Sequence, residues 1–228
     1  MLALVLTFLL AILNFIILSY FSEHILHRSK IRNASLSFGA GVTVVYLLGV
    51  FLPEIYIYSY LNENVPILLS VAAGFIAFHL LEKYFYRHVP KLDLPRRQRL
   101  VHVTAIVIYH LLSGIVLVQL ISENTLAGIA FFVPLVFVLL SEDFSLHFLH
   151  GKEHVSFKVV VAFSAFIGVV IGQFLTIESI MQFGLYGFVA GVILFIMANE
   201  MIPKEKEGTP GLFTLGVIIS VIFFFFVI

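Results

Sequence analysis

The chain alternates between long apolar stretches and short polar connections, and this pattern predicts a bundle of membrane-spanning helices. Each stretch is close to the roughly 20 apolar residues that cross about 30 Å of hydrocarbon as an α-helix. We therefore predict an all-α integral membrane protein with a single membrane domain over residues 1–228. Its eight predicted spans are residues 1–20, 35–58, 66–82, 100–121, 126–146, 157–177, 181–202 and 210–228.

The positive charges predict how these spans are oriented. All 13 lysines and arginines lie at alternate connections, those after the first, third, fifth and seventh stretches. The other three connections, 59–65, 122–125 and 178–180, carry none. Because basic connections stay on the cytoplasmic side during insertion, we expect both termini outside. The short connections favour a multi-pass protein of a prokaryotic inner (plasma) membrane. The sequence has no basic patch of the kind that binds nucleic acid, so no nucleic-acid partner is predicted.

Composition narrows the classes of function. A chain that is 61% hydrophobic and 11% charged, with a mean hydropathy of +1.11, is not a soluble domain, so its partner is the lipid bilayer. The chain has no cysteine, which leaves imidazole, carboxylate, hydroxyl and carbonyl groups as cation ligands. No Gly-x4-Gly-Lys-Ser/Thr loop for ATP is present. We predict a protein that is not an enzyme and has no tightly bound cofactor, its function residing in the bundle or at its mouths.

Two stretches match each other at a spacing of 150 residues. Phe38-Gly39-Ala40-Gly41-Val42 matches Phe188-Val189-Ala190-Gly191-Val192. Pro53 matches Pro203, and each proline is interpreted as the end of its helix. Because an odd number of crossings separates the copies, they run through the membrane in opposite senses. This predicts an inverted repeat that relates helices 1–3 to helices 6–8, as in many secondary transporters.

Small residues spaced by four predict close helix packing. The two stripes are Gly168-x3-Gly172 and Gly187-x3-Gly191. Such stripes let helix backbones approach each other, either inside the bundle or at a homodimer contact. Packing inside the bundle is the favoured interpretation.

Polar residues inside predicted spans are costly in lipid and therefore indicate function. His110 lies near the middle of the fourth span, and Ser113 follows one turn later. The fifth span holds Glu142 and Asp143, followed by Ser145. Zinc-type cations bind imidazole nitrogen and carboxylate oxygen, so His110 facing Glu142 would form a labile, incomplete site. The alternative is a neutral core histidine that is hydrogen-bonded to a serine or tyrosine.

Further ionisable residues lie near helix ends. A cluster at the cytoplasmic mouth either collects a cation leaving the bundle or forms a solvated interfacial turn; it comprises His147, His150 and His154. Accessory candidates at the inner end of the third span are His79 and Glu82. Two helix-end carboxylates, Glu54 and Glu200, are candidates for cation entry or exit.

Taken together, these features resemble the ZIP (Zrt/Irt-like) family of metal-ion transporters over essentially the whole chain. That family has eight spans, both termini outside and an inverted relation between its first and last three helices. Its second and seventh helices often read as small-residue runs that end in Leu-Pro-Glu. Residues Phe38 to Glu54 follow this pattern, and Phe188 to Lys204 is a looser match.

The signature motifs of the family are only partly present. The motif His-Asn-x-x-(Asp/Glu)-Gly falls on residues 109–114, where Ser113 replaces the bridging carboxylate. The motif His-Glu-x-x-(His/Glu) falls on residues 141–145, where only Glu142 is kept. The resemblance implies alternating-access transport of a divalent cation, zinc or manganese or iron, toward the cytoplasm. The implied metal residues are His110, Ser113, Glu142, Asp143 and Ser145.

Two other classes of function remain open from the sequence. A non-transporting member of the same fold, acting as a sensor or assembly subunit, would be expected to lose the bridging carboxylates. An intramembrane metal-dependent hydrolase would use Asp143, His147 and His150 as ligands and Glu142 as a base. The second alternative is the weaker one, because its ligands all lie at one helix end.

Overall fold

The computed structural model describes residues 1–16, 29–88, 94–150, 155–202 and 208–227. Within these ranges it contains eight helices and no strand. The helices are α1 (Leu2–Ile16), α2 (Ser29–Tyr46, continued by Leu47–Phe51 and Leu52–Leu61), α3 (Val65–His88), α4 (Leu94–Glu123), α5 (Thr125–His150), α6 (Val155–Gly172), α7 (Ser179–Ile196, continued by Met197–Met201) and α8 (Pro210–Val227).

The all-helical architecture agrees with the sequence and is compatible with a membrane protein. Three of the described helical segments are long and apolar enough to cross a membrane: Asn33–Leu61, Val103–Glu123 and Ser179–Asn199. The other described helices contain shorter apolar segments. One helix is shorter than its predicted span: α6 stops at Gly172 instead of continuing to residue 177. There the Gln119 side chain donates a hydrogen bond to the Gly172 carbonyl at 3.2 Å.

Two helices contain a widened turn at corresponding places. A five-residue π-helical segment interrupts α2 at Leu47–Phe51, and another ends α7 at Met197–Met201. The backbone N–H of Leu52 bonds the carbonyl of Leu47, five residues earlier. The N–H of Ile202 bonds the carbonyl of Met197 in the same way, at 3.1 Å. The two segments are 150 residues apart, the same spacing as the matching sequence motifs.

The prediction that Pro53 ends its helix was wrong. The chain stays helical from Leu52 to Leu61, with Pro53 in the first turn after the π-helical segment. Proline lacks a backbone N–H and is therefore tolerated in the first turn of a helix, where that donor has no intrahelical acceptor. The widened turn resets the hydrogen-bond ladder just before Pro53, so the helix continues. Pro203 lies outside the described residues.

Two helix pairs pack in the same way, with a glycine on each helix close to the backbone of the other. In the α3–α7 pair, a Cβ at Gly191 would overlap the carbonyl of Val71, and a Cβ at Gly74 would overlap the carbonyl of Phe188. In the α2–α8 pair, Gly41 takes the place of Gly191 and approaches the carbonyl of Phe213. The partner glycine of that pair, Gly216, approaches the carbonyl of Phe38. The matching motifs of the sequence therefore make matching contacts.

A third pair, α4 with α6, follows the same rule. A Cβ at Gly114 would overlap the carbonyl of Ala165, and one at Gly168 would overlap the carbonyl of Leu111. Gly172 continues this contact against Ile115. Both predicted glycine stripes are thus used inside the chain, since Gly187 approaches Ile67 and Ser70 of α3.

Aromatic side chains fill the space between these helix pairs. Tyr46 and Phe51 of α2 stack at a ring-centroid distance of 5.5 Å. Phe51 also contacts Phe131 of α5 at 5.4 Å and Tyr186 of α7 at 5.9 Å. All four side chains are fully buried. The central helices α2, α4, α5 and α7 therefore share one core, while α1 packs mainly against α6 at the edge.

The glycine contacts predict position-specific stability. Gly191→Ala should destabilise the fold by about 1–3 kcal/mol, because the new methyl group meets backbone atoms that cannot rotate away. Gly184→Ala on the same helix meets no atom within 4 Å and should be neutral or stabilising. Thermal unfolding of both variants in detergent measures the difference. Equal unfolding temperatures for the two variants would contradict the packing of α3 on α7.

Candidate functional site

His110 is completely buried in α4 and is bonded to α6 through one edge of its ring. Its Nδ1 atom lies 2.9 Å from the Ser164 hydroxyl oxygen and 3.2 Å from the Val161 carbonyl oxygen. The sequence had left open whether His110 bonds a serine or binds a cation. The structure shows that it bonds a serine through Nδ1.

The glycine contact between α4 and α6 explains why these groups meet. Gly114 lies one turn after His110 on α4, and Gly168 lies one turn after Ser164 on α6. The close approach of backbones at the two glycines continues into the next turn, where the imidazole spans the gap between the helices. Residue spacing within each helix therefore sets the hydrogen bond between them.

Ser113 is the second polar residue of this site that the sequence singled out. Its side chain is completely buried, and its hydroxyl oxygen has no hydrogen-bond partner among the described residues. Four other described serines donate to the carbonyl three residues earlier; these are Ser70, Ser122, Ser141 and Ser164. A buried hydroxyl without a partner costs about 1–3 kcal/mol, so Ser113 needs an explanation. Thr43 of α2 is in the same condition.

The acidic half of the predicted site belongs to α5. Ser141 is buried, and its hydroxyl donates to the Val138 carbonyl at 2.7 Å. The backbone of the next residues continues α5, but their side chains lie outside the described part of the structure; these are Glu142, Asp143, Ser145, His147 and His150. His154 lies outside it altogether. Whether the carboxylates of α5 face His110 therefore stays a prediction.

The accessory candidates on α3 are placed only in part. His79 is half-buried and packs against aromatic rings, with centroids 6.3 Å from Phe75 and 6.2 Å from Phe195. The side chain of Glu82 is outside the described part of the structure, as is that of Glu200. Among the side chains that are described, no group of three or more His, Asp or Glu residues is arranged to hold a metal ion.

A polar cluster at the other end of the bundle was not anticipated from the sequence. The Gln182 side-chain nitrogen donates to a carboxylate oxygen of Glu123 and to the Tyr186 hydroxyl, both at 2.6 Å. Glu54 is near enough that its charge interacts with that of Glu123 and with Tyr186. Glu54 had been singled out as an entry or exit residue, but Glu123 and Gln182 had not. Because they lie 59 residues apart and on separate helices, no local motif could have joined them.

The described residues thus place one imidazole against a serine hydroxyl and a backbone carbonyl between α4 and α6, with the buried Ser113 hydroxyl one turn after His110 on α4. No protein-family model matches the chain, and no curated protein matches its sequence.

Proposed function

We propose that the protein transports a divalent metal cation, Zn²⁺ in the first place, across a prokaryotic inner membrane toward the cytoplasm. The observation that carries this proposal is the unpartnered hydroxyl of Ser113, buried one turn from His110. Burial without a hydrogen bond is unfavourable, whereas an oxygen that binds a passing cation must be without a tight partner. The imidazole of His110 supplies the strong ligand beside it.

The ligand set of the passing cation is completed from α5. Glu142 supplies a carboxylate, with Asp143 and Ser145 beside it, so that imidazole, carboxylate and hydroxyl surround the cation. Such a set favours Zn²⁺ over Mn²⁺, because affinity at nitrogen and oxygen sites rises from manganese to zinc. The few strong ligands keep binding weak enough for release. A cation leaving inward would then meet His147, His150 and His154, with His79 and Glu82 as accessory residues.

Alternating access between two halves of the bundle is the proposed mechanism. An inverted repeat of helices 1–3 and 6–8 would let the same contacts open the site first outward and then inward. Two observations support the repeat: the π-helical segments lie 150 residues apart, and Gly41 and Gly191 make matching contacts at the same spacing. Eight spans with both termini outside follow from the alternation of basic connections.

The central site predicts which side chains transport requires. His110→Gln and Glu142→Gln should each lower Zn²⁺ uptake into proteoliposomes at least about tenfold, because each removes a ligand. His102→Gln on the same helix as His110, and Glu178→Gln at an exposed position, are the matched controls. Uptake should be faster for Zn²⁺ than for Mn²⁺ at equal concentration.

Two results of this uptake experiment would count against the proposal. Uptake that survives in both ligand variants would exclude a route through His110 and Glu142. A folded wild-type protein with no uptake of Zn²⁺, Mn²⁺, Fe²⁺ or Cd²⁺ would instead favour the non-transporting sensor or assembly subunit.

The polar cluster at the opposite end supports cation attraction at the outer mouth. The three connections predicted to lie outside carry no lysine or arginine, so no basic residue of these connections balances Glu54 and Glu123. Like charges in a partly desolvated mouth create a negative potential that raises the local concentration of cations. The cluster is therefore proposed to raise the capture rate without binding the cation as tightly as the central site.

Removing charge at the outer mouth should change the KM for Zn²⁺ more than the maximal rate of uptake. The double variant Glu54→Gln with Glu123→Gln should raise the KM for Zn²⁺ a few-fold at low ionic strength, with a similar maximal rate. Screening by about 0.5 M salt should shrink this difference. Glu63→Gln, at an exposed turn between α2 and α3, removes a charge outside the cluster and should change the KM less. An unchanged KM in the double variant would exclude capture by this cluster.

A further inference from the structure

The two π-helical segments lie where α2 and α7 contact each other. Leu47–Phe51 of α2 packs against α7, and Met197–Met201 of α7 packs against α2. A proline occupies the second position after each segment, Pro53 in α2 and Pro203 in the sequence that follows α7. Turns of this kind are rare in helices and are frequent at functional positions. A change of shape in either segment would therefore move one of these helices against the other.

The hydrogen-bond ladder of α2 is incomplete at its π-helical segment. The Leu52 N–H bonds the Leu47 carbonyl, five residues earlier. The next donor in that ladder would come from residue 53, but proline has no N–H. The Leu48 carbonyl is therefore left without a main-chain donor of its own in α2. Because fewer hydrogen bonds hold this turn than a regular α-helical turn, α2 bends most easily here.

Gly49 lies in the middle of the same segment and has no packing reason to be a glycine. A Cβ at Gly49 would meet no atom within 4 Å, whereas a Cβ at Gly41 of the same helix would overlap the Phe213 carbonyl. Glycine inside a helix is less favourable than alanine, because its backbone has more conformational freedom to lose. At a turn that bends, the same freedom is useful.

The part of α2 beyond the segment, Leu52–Leu61, contacts α7 through aromatic rings. Tyr58 lies face to face with Phe183 of α7, with ring centroids 3.6 Å apart and an angle of 5° between the ring planes. The glycine contacts elsewhere in the bundle join backbones, which separate only when whole helices move. A contact between two side chains is released by a much smaller movement.

We propose that Leu52–Leu61 is the outer gate of the transport route, hinged around Gly49 and held closed by the stack of Tyr58 on Phe183. This inference rests on the proposed function for what passes the gate, but the hinge and the stack do not depend on transport. Glu54 belongs to the first turn of the gate, so opening moves one carboxylate of the acidic mouth. A cation that the mouth attracts then enters the bundle only when the stack is broken.

The first test measures the position of the gate in the purified metal-free protein. The chain has no cysteine, so spin labels attach only at introduced positions. Labels at Tyr60→Cys and Met181→Cys, both exposed, report the distance between the gate and α7. Tyr58→Ala should add a population at longer distance, and Tyr58→Phe, which keeps the ring, should match the wild type. An unchanged distance distribution in Tyr58→Ala would overturn the proposal.

A second pair of labels is the control for this measurement. Labels at Leu69→Cys and Met181→Cys cross the glycine contact between α3 and α7, and both positions are exposed. Their distance should be the same in the wild type, Tyr58→Ala and Tyr58→Phe. If Tyr58→Ala lengthened this distance as well, the variant would disturb α7 as a whole, and the gate would be overturned.

The second test concerns the hinge. Gly49→Ala should lower the maximal rate of Zn²⁺ uptake about fivefold, because alanine resists the bending that glycine permits. Its unfolding temperature should equal or exceed that of the wild type, since the methyl group meets no atom within 4 Å. Gly184→Ala, at an equally open position of α7, should leave the rate unchanged. In the Tyr58→Ala background, Gly49→Ala should also reduce the longer-distance population. A wild-type rate in Gly49→Ala would overturn the hinge.

The measurements separate this inference from the function beneath it. If the wild type takes up no cation while Tyr58→Ala lengthens the distance between the gate and α7, the proposed transport fails and the hinged segment stands. If His110→Gln abolishes uptake while Tyr58→Ala leaves that distance unchanged, the transport route stands and the gate is overturned.

Discussion

Close approach of helix backbones at glycine is the constraint on which the rest of this structure depends. Helices in lipid gain little from burying apolar side chains against each other, so they are held by tight packing and by hydrogen bonds between them. Three helix pairs meet that requirement with glycines from both sides, α2 with α8, α3 with α7 and α4 with α6. In the last pair the same approach brings the imidazole of His110 within hydrogen-bond distance of Ser164.

The described interior is largely apolar, and most of its buried polar side chains have a hydrogen-bond partner. Those that lack one are therefore informative. Several described serines and threonines donate their hydroxyl hydrogen to a carbonyl of their own helix, as Thr7 does to Ala3 and Ser141 to Val138. Ser113 and Thr43 do not, although both are fully buried. An unsatisfied hydroxyl in this setting costs stability, and the proposed site for a passing cation would give that cost a function.

The two ends of the bundle differ in charge. One end carries the basic connections and the histidine-rich end of α5, and the other carries Glu54 and Glu123 with no basic residue in its connections. Between them, among the described side chains, lies the imidazole of His110 with a serine hydroxyl beside it. In the proposed transport, this difference would attract a cation to the acidic mouth before it reaches the centre.

Much of the fold could be predicted from the sequence because long apolar helices are specified locally. Length and hydropathy set the number and order of the helices, and the matching motifs around Gly41 and Gly191 correctly identified two helices that make matching contacts. Pro53 was misjudged because the π-helical segment that precedes it depends on hydrogen bonds between residues five apart, for which no residue pattern is diagnostic. His110 and Ser113 were correctly predicted to be buried polar residues, because a polar residue within an apolar stretch can be recognised from the sequence alone.

Only the tertiary structure decided which side chains form hydrogen bonds between helices. The bond from His110 to Ser164 joins residues 54 positions apart, and the bond from Gln182 to Glu123 joins residues 59 positions apart. Each depends on where two backbones cross and on the rotation of each helix about its axis, and both follow from packing against several neighbours at once. The sequence by itself determined that the chain is a helical bundle with an imidazole buried near its middle. Only the tertiary structure decided which oxygen holds that imidazole, because helix rotation and crossing distance are properties of the packed bundle and of no single segment.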